Sequence, residues 1–313
     1  MSHLREISPT NSVTDSLFQR PLSELIFQAN QIRKEFLGSE IELCSILNAK
    51  SGGCSEDCKF CAQSSRYPTN IDTFPLKDKD QIVEAARQAK EIGAKKFGIV
   101  TSGNSLSLRE INIIAQAIRE IRDKVDIEIC ASLGAQTEQQ LRILKQAGLA
   151  RYHHNVETSP RFYSQIVSTH SFEQRVNTIK AAKQVGLSVC SGGIIGMGES
   201  EQDRIDLACL LRDLDVDSVP INFLVAHPGT PLQGLIPLSC SEAVKTIAIF
   251  RIILKDKIIK IAAGRETILS DFQGLGFLAG ANGMLIGGYL TIRGRDVAAD
   301  QQLVEQIKML WRE

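Results

Sequence analysis

Short runs rich in β-branched residues alternate with amphipathic stretches between about residue 40 and residue 290 of this 313-residue chain. The runs predicted to be strands are 40–46, 96–101, 126–132, 151–156, 188–193, 218–223, 258–263 and 283–286. The stretches with helical periodicity are 81–92, 108–122, 137–147, 172–185, 201–214 and 241–255. Strands that alternate with helices in this way lie parallel and are joined by right-handed crossovers.

Each repeat contains a helix, a glycine, a strand and a loop, and Gly93, Gly148 and Gly186 stand where helices should end. Eight such units predict an α/β fold, a closed TIM-type (β/α)8 barrel over residues 40–290. An open doubly wound sheet would give the same alternation and is the alternative. Residues 1–39 and 291–313 are predicted to be N-terminal and C-terminal helical extensions that pack on the barrel, within a single domain.

The charge balance and the hydropathy pattern exclude several classes of protein. Lys and Arg total 36, as do Asp and Glu, so the formal net charge is zero, whereas nucleic-acid binders normally carry a basic excess. No apolar run reaches the ~18 residues of a membrane span, and the N-terminus has no apolar signal core. We therefore expect a cytoplasmic protein that binds neither nucleic acid nor membranes.

Three of the eight cysteines, Cys54, Cys58 and Cys61, follow the first predicted strand with the spacing C-x₃-C-x₂-C. The next cysteine is Cys130, and no histidine lies near the three. A structural zinc ion requires four ligands from Cys or His. Three thiolates suit a [4Fe–4S] cluster in which one iron has no protein ligand and can bind a substrate. A redox loop or a zinc loop is the alternative.

This cysteine spacing resembles the defining loop of the radical S-adenosylmethionine (SAM) superfamily. The resemblance implies that the open iron binds the amino and carboxylate groups of SAM. The reduced cluster then cleaves SAM to methionine and a 5′-deoxyadenosyl radical. It also implies that Phe60, the aromatic residue before Cys61, lies beside the adenine.

Further motifs resemble the biotin synthase family within that superfamily, nearly from end to end of the chain. The matching segments are 54–67 (CSEDCKFCAQSSRY), 152–159 (YHHNVETS), 189–199 (VCSGGIIGMGE), 218–222 (SVPIN) and 262–266 (AAGRE). The resemblance implies that the enzyme removes hydrogen from two carbons of dethiobiotin and inserts sulfur from an auxiliary iron–sulfur cluster. It further implies a homodimer and an electron donor such as flavodoxin or ferredoxin.

The resemblance assigns roles residue by residue. Cofactor binding falls on the three loop cysteines together with Phe60, Asn155, Glu157, Arg175 and Ile194. Glu157 matches an acid that binds the ribose, and Arg175 matches an arginine that forks onto a carboxylate. Asn155 and Asn222 match the residues that bind the ureido ring, where an amide both donates and accepts. His153 replaces an asparagine of the family motif and is predicted to contact the substrate.

The auxiliary cluster departs from the family pattern, in which three cysteines and one arginine hold a [2Fe–2S] cluster. Cys130, Cys190 and Arg265 match that pattern, but Gly98 replaces the remaining cysteine. We expect Cys44 to replace it, because strands one, three, five and seven build one interior layer of the barrel. The space left by Gly98 would then admit a cluster larger than [2Fe–2S]. Packing of Cys44 in the core is the alternative.

Two other functions compete with biotin formation. Gly98 and His153 would also suit a related radical SAM enzyme that inserts no sulfur, such as a mutase or a metal-cofactor maturase. A non-catalytic iron–sulfur or zinc protein is a third possibility, and it leaves the matched SAM residues unexplained. The product formed from dethiobiotin, SAM and a reductant discriminates among the three.

Overall fold

The strands close into a parallel barrel, as the alternation predicts. The computed structural model describes residues 16–290 and 294–312. Its strands are β1 Glu42–Lys50, β2 Lys96–Thr101, β3 Glu128–Ser132, β4 Arg151–His153, β5 Ser188–Cys190, β6 Gly193–Ile195, β7 Ser218–Phe223, β8 Ile258–Ile261 and β9 Gly283–Leu285. The spatial order is β5-β4-β3-β2-β1-β9-β8-β7-β6, and a further pairing of β5 with β7 closes the ring. The (β/α)8 prediction is therefore confirmed, and the open-sheet alternative is wrong.

The predicted strand 188–193 is two short segments, β5 and β6, that together fill one position of the barrel. The break falls at Ser191 and Gly192, and at Gly192 and Gly193 the backbone approaches its neighbours too closely for any side chain. A Cβ atom on Gly192 would stand 2.0 Å from the Pro220 carbonyl oxygen, and one on Gly193 would stand 2.3 Å from that of Glu157. Only glycine permits so close an approach of two backbones.

Helices cover the outside of the barrel. They are α1 Leu22–Leu37, α2 Lys79–Glu91, α3 Leu108–Lys124, α4 Glu138–Ala147, α5 Pro160–Ile166, α6 Phe172–Gln184, α7 Glu201–Asp213, α8 Cys240–Leu254, α9 Arg265–Ile268, α10 Gln273–Leu278 and α11 Val297–Leu310. Five of them begin with a reciprocal capping box, at Asp78, Ser107, Thr137, Ser200 and Ser239. These caps satisfy backbone N–H groups that have no partner within the helix. Each of these five helices begins directly after a loop at the mouth of the barrel.

The two ends of the chain pack against each other and against the barrel. Helix α1 lies against α8, and α11 contacts α10. The buried guanidinium of Arg33, on α1, lies 3.7 Å from the ring centroid of Trp311, which follows α11. Residues 1–15 of the predicted N-terminal extension and residues 291–293 and 313 of the C-terminal one lie outside the described residues. No helix among the described residues is long and apolar enough to cross a membrane.

Candidate active site at the mouth of the barrel

A cavity of about 320 Å³ opens at the carboxyl ends of the strands, where (β/α)8 enzymes bind their substrates. The structure brings nine of the predicted site residues together around it: Cys54, Cys58, Phe60, Cys61, His153, Asn155, Glu157, Arg175 and Asn222. Ile194 does not line this cavity. It packs against a hydrophobic cluster that includes Cys58, and Phe60 packs against the same cluster.

The cysteine loop follows β1 and is folded onto itself by backbone hydrogen bonds. The N–H of Cys54 donates to Gln63 O over 3.1 Å, and the N–H of Cys61 donates to Cys58 O over 2.9 Å. Burial raises the pKa of the Cys58 thiol, and it raises the pKa of Cys61 to about 11. A cluster that binds here must displace these protons, because only the thiolate ligates iron.

Glu157 faces the cavity from the loop after β4. Its backbone φ angle is 70°, a value that residues other than glycine seldom adopt. Its N–H donates to Gly192 O over 3.2 Å, and its own carbonyl accepts from the Ile194 N–H over 2.9 Å. These bonds to the broken strand hold the strained residue in place. Burial raises the pKa of the Glu157 carboxyl, while Arg175 opposes that effect.

The asparagine amides bridge the broken strand to its neighbours. Asn155 Oδ1 accepts from Gly192 N over 3.1 Å. Asn222 Oδ1 accepts from Ala263 N over 3.2 Å, and its Nδ2 donates to Gly193 O over 3.1 Å. Each amide therefore has a fixed orientation and still borders the cavity. A ligand with alternating N–H and C=O groups is the kind that such amides recognise.

His153 lies on β4, next to Cys190 in the strand register. Its Nε2 atom is buried and has no hydrogen-bond partner among the described residues. Burial, and the charges of Lys260 and Arg151, lower the pKa of His153 well below its usual value. The imidazole is therefore neutral, and it presents an unpaired polar atom at the wall of the cavity.

Three thiols lie below the cavity, at the level where β1, β3 and β5 place Cys44, Cys130 and Cys190. Each residue is at most 3% exposed. Across residues 16–290 and 294–312, no three His, Cys, Asp or Glu side chains converge closely enough for a single metal ion. The ligands of an iron–sulfur cluster are shared among two or four irons, so they need not all converge on a single point.

Buried charges surround these thiols at the amino-terminal end of the barrel. Glu42 Oε1 lies 2.6 Å from Lys260 Nζ and 2.8 Å from Arg151 Nη1, and Glu42 Oε2 lies 3.4 Å from Lys96 Nζ. Burial alone would raise the pKa of Glu42, but these three cations lower it to about 2. Lys96 also pairs with Glu128, which is partly exposed. Three buried cations thus face two carboxylates, so the network has an excess of positive charge that suits anionic sulfur ligands.

The prediction that Arg265 faces the three cysteines is wrong. The seventh barrel strand, β8, ends at Ile261, and Arg265 begins helix α9 after a turn at Gly264. Its Nη2 lies 2.6 Å from Asp300 Oδ2 on α11, and its Nε lies 3.1 Å from Tyr289 Oη. Because the strand ends four residues before Arg265, the arginine points away from the barrel interior. Lys260 is the residue of β8 that reaches the thiols.

Ile46 lies beside Gly98 in the barrel wall. A Cβ atom on Gly98 would stand 3.0 Å from Ile46 Cγ2 on the neighbouring strand β1. The side chain of Ile46 therefore takes up part of the space next to Gly98. Room for a cluster larger than [2Fe–2S] stays a prediction.

Several residues of this site were missed by reasoning from the sequence, among them Glu42, Lys260, Glu56 and His170. A signal existed for the first two. Glu42 is two residues before Cys44, and Lys260 is two residues before Ala262, the first residue of the matched segment 262–266. Because side chains alternate along a strand, the members of each pair lie on one face. No local pattern marks Glu56 or His170, because they meet only through the fold.

The comparisons with known proteins agree with this arrangement. Residues 49–211 match the Radical SAM superfamily, and residues 220–309 match the Biotin and Thiamin Synthesis associated domain. Among solved structures, methylornithine synthase (PylB) superimposes with a TM-score of 0.82 at 20% identity, covering 97% of this chain and 94% of that one. The hydrogenase maturase HydG from Carboxydothermus hydrogenoformans has a TM-score of 0.81 at 17% identity, over 94% and 73% of the chains. At such identities the likeness concerns the fold alone.

Three relatives of much higher sequence identity are all biotin synthases. The biotin synthase of Thermotoga petrophila is 51% identical over 92% of this chain and 96% of its own length. The biotin synthase of Clostridium perfringens strain 13 is 47% identical over 98% of this chain and 96% of its own length. The biotin synthase of Aquifex aeolicus is 46% identical over 91% and 86%. The chain belongs to the biotin synthase family of radical SAM enzymes.

Proposed function

We propose that the chain converts dethiobiotin to biotin, with hydrogen removal at the mouth of the barrel and sulfur delivery from a cluster below it. The observation that carries the proposal is that a single cavity lies between two groups of cysteines. Cys54, Cys58 and Cys61 border the cavity, and the buried Cys44 touches Lys260, which also borders it. A substrate in this cavity is within reach of both groups.

The three loop cysteines suit a [4Fe–4S] cluster, and the walls beside them suit SAM. When bound, the cluster and SAM together supply the radical chemistry that breaks unactivated C–H bonds. Phe60 offers an apolar face for the adenine, and Ile194 packs against the same hydrophobic cluster as Phe60. Glu157 can accept from the ribose hydroxyls, and Arg175 can pair with the carboxylate of the methionine moiety.

Dethiobiotin contacts fall on the residues between these two groups. Asn155 and Asn222 border the cavity, and their amides suit the N–H and C=O groups of the ureido ring. The unpaired Nε2 of His153 suits a hydrogen bond to the substrate or to the auxiliary cluster below the cavity.

Cys44, Cys130 and Cys190 would hold the auxiliary iron–sulfur cluster, whether [2Fe–2S] or larger. The fit rests on the donor set and the surrounding charge. Each thiol is buried, and the cations Lys260, Arg151 and Lys96 lie around them. Lys260 takes the place beside the cluster that was predicted for Arg265, as a charged neighbour that can donate to sulfur.

The proposed function also implies a cellular location, an electron donor and an oligomeric state. The cysteines of the loop and of the barrel interior are not joined by disulfides among the described residues, which suits the reducing cytoplasm. The radical SAM cluster requires a low-potential electron donor such as flavodoxin or ferredoxin. A homodimer is proposed from the family resemblance.

The test uses protein reconstituted with iron and sulfide without oxygen. The chain is incubated with dethiobiotin, SAM and a low-potential reductant, and biotin and deoxyadenosine are both measured. We expect both products from the intact chain and neither from Cys54→Ala. Deoxyadenosine without biotin would overturn the sulfur insertion, and the absence of SAM cleavage would overturn the whole proposal.

A further inference from the structure

The guanidinium of Arg175 is held by three different partners. Its Nε donates to Tyr163 Oη over 2.8 Å, and its Nη1 donates to Asn155 O over 2.9 Å. Its Nη2 lies 3.0 Å from His170 Nε2. A guanidinium has five N–H groups, so two make none of these hydrogen bonds and can meet an anionic ligand. Nη1 also lies 3.5 Å from Glu157 Oε1, in an ion pair at the same wall of the cavity. The position of the two N–H groups depends on the hydrogen bonds to Tyr163, Asn155 and His170.

His170 is in turn held by Glu56, since His170 Nδ1 lies 2.8 Å from Glu56 Oε2. Arginine can only donate, so His170 Nε2 must accept, and the ring proton must be on Nδ1 facing the carboxylate. The His170 side chain is 5% exposed and that of Glu56 is 13% exposed. Burial and the charge of Arg175 lower the pKa of His170, in agreement with a neutral imidazole.

The neighbouring residue ties the same two segments together. Asp57 Oδ1 accepts from the backbone N–H groups of Ser168 and Thr169 over 2.9 and 3.1 Å. These hydrogen bonds lower the pKa of the Asp57 carboxyl despite its partial burial. Glu56 and Asp57 stand between Cys54 and Cys58, and residues 168–170 lead into helix α6, which carries Arg175. The cysteine loop and the arginine are therefore connected through a chain of hydrogen bonds.

We propose that Glu56 and His170 are positioning residues, which hold Arg175 at a set distance from the cysteine loop. The inference rests on the SAM site proposed above. A ligand that binds an iron through one end and Arg175 through its carboxylate needs both anchors at once. Glu56 fixes the tautomer of His170, His170 orients Nη2 of Arg175, and the remaining N–H groups of the guanidinium meet the carboxylate. Neither Glu56 nor His170 needs to touch the ligand.

The experiment compares His170→Phe with His170→Gln in reconstituted protein. Phenylalanine keeps a ring and removes both hydrogen bonds, whereas glutamine can donate to Glu56 and accept from Arg175. We expect His170→Phe to retain the iron of the loop cluster and to bind SAM about tenfold more weakly, the loss of one charge-assisted hydrogen bond. His170→Gln should recover most of that loss. Lys59→Ala, on the exposed side of the same loop, should bind SAM like the unaltered chain.

A double-variant cycle separates positioning from a general structural role. If His170 acts through Arg175, the pair His170→Phe and Arg175→Met should bind SAM no more weakly than Arg175→Met alone. SAM binding is measured by equilibrium dialysis and by the change in the electron paramagnetic resonance spectrum of the reduced cluster. Additive losses, unaltered binding in His170→Phe or failure of glutamine to rescue would each overturn the inference. If the unaltered chain holds its cluster yet binds no SAM, it is the proposed function that fails.

Glu56→Gln provides a second route if His170→Phe does not fold. The amide keeps an acceptor for His170 Nδ1–H but loses the charge that favours this tautomer. We expect weaker SAM binding than in the unaltered chain and the same iron content. Equal binding in Glu56→Gln and in the unaltered chain would contradict a role for the carboxylate.

Discussion

The ammonium nitrogen of Lys260 lies 3.2 Å from the sulfur of Cys44, and both side chains are buried. Glu42 Oε1 lies 2.6 Å from the same ammonium and 3.7 Å from the same sulfur. Burial raises the pKa of the Cys44 thiol, while the charge of Lys260 opposes that rise. A neighbouring ammonium favours the thiolate, which is the form of cysteine that ligates iron. This contact therefore favours a ligand role for Cys44 over simple packing.

Replacing Cys44 tests the auxiliary site directly. We expect Cys44→Ala to lose the iron of the auxiliary cluster and to keep the iron of the loop cluster, because the two cysteine groups are separate. Iron per chain and Mössbauer spectra of anaerobically reconstituted protein measure the change. Cys240→Ala, at the start of α8, is the matched control and should retain both sites. An intact auxiliary cluster in Cys44→Ala would contradict the assignment.

Replacing Arg265 should affect stability and not the iron content. Arg265→Met removes a fully buried guanidinium and leaves Asp300, which is 0% exposed, without its partner. Breaking a buried ion pair in this way lowers the free energy of unfolding by about 3–5 kcal/mol. Denaturant unfolding measures this loss, and iron analysis of the folded variant should still find both clusters. Selective loss of the auxiliary iron would show that Arg265 acts at that site.

The close backbone contact at Gly193 should not tolerate a side chain. An added Cβ would meet Glu157 O at 2.3 Å, so Gly193→Ala must displace the strained residue that faces the proposed SAM site. We expect a loss of about 1–3 kcal/mol in stability together with weaker SAM binding. Gly234→Ala is the control, because no atom lies within 4 Å of its added Cβ. Similar behaviour of the two variants would mean that this contact is adaptable.

The carboxylate of Asp203 should make stability depend on pH. Burial raises its pKa, but hydrogen bonds from Ser159, Ser200 and Arg161 outweigh that effect and hold the pKa at about 2. A carboxyl with a lowered folded-state pKa stabilises the protein fully above its unfolded pKa, which is about 3.9 for Asp. That contribution, about 2 kcal/mol at neutral pH, is lost as pH falls through about 2.

Asp203→Asn should therefore be less stable than the unaltered chain at pH 7, and the difference should shrink by about half at pH 3. Denaturant unfolding at several pH values gives the comparison. Asp213→Asn, on the exposed end of the same helix, should change stability by less than about 0.5 kcal/mol. A difference that stays constant with pH would show that the carboxylate is not held in its ionised form.

The sequence alone determined the barrel and the cysteine loop, because both depend on patterns within short stretches of the chain. A periodicity of 3.6 or 2 residues decides helix or strand within a short window, and eight alternating units can close into a barrel. The spacing of Cys54, Cys58 and Cys61 depends on no distant residue. Alternation along each strand also placed Cys44, Cys130 and Cys190 on strands one, three and five.

Only the tertiary structure decided which charges meet these sulfurs. Lys260 reaches Cys44 because β8 is in register with β7 and β9 and ends at Ile261, so Arg265 turns outward to Asp300 instead. The path from Glu56 through His170 to Arg175 likewise joins residues over 100 positions apart. Such contacts depend on strand register and on the position at which each strand ends. Neither is encoded in the local spacing of residues, since both are set by the packing of the whole barrel.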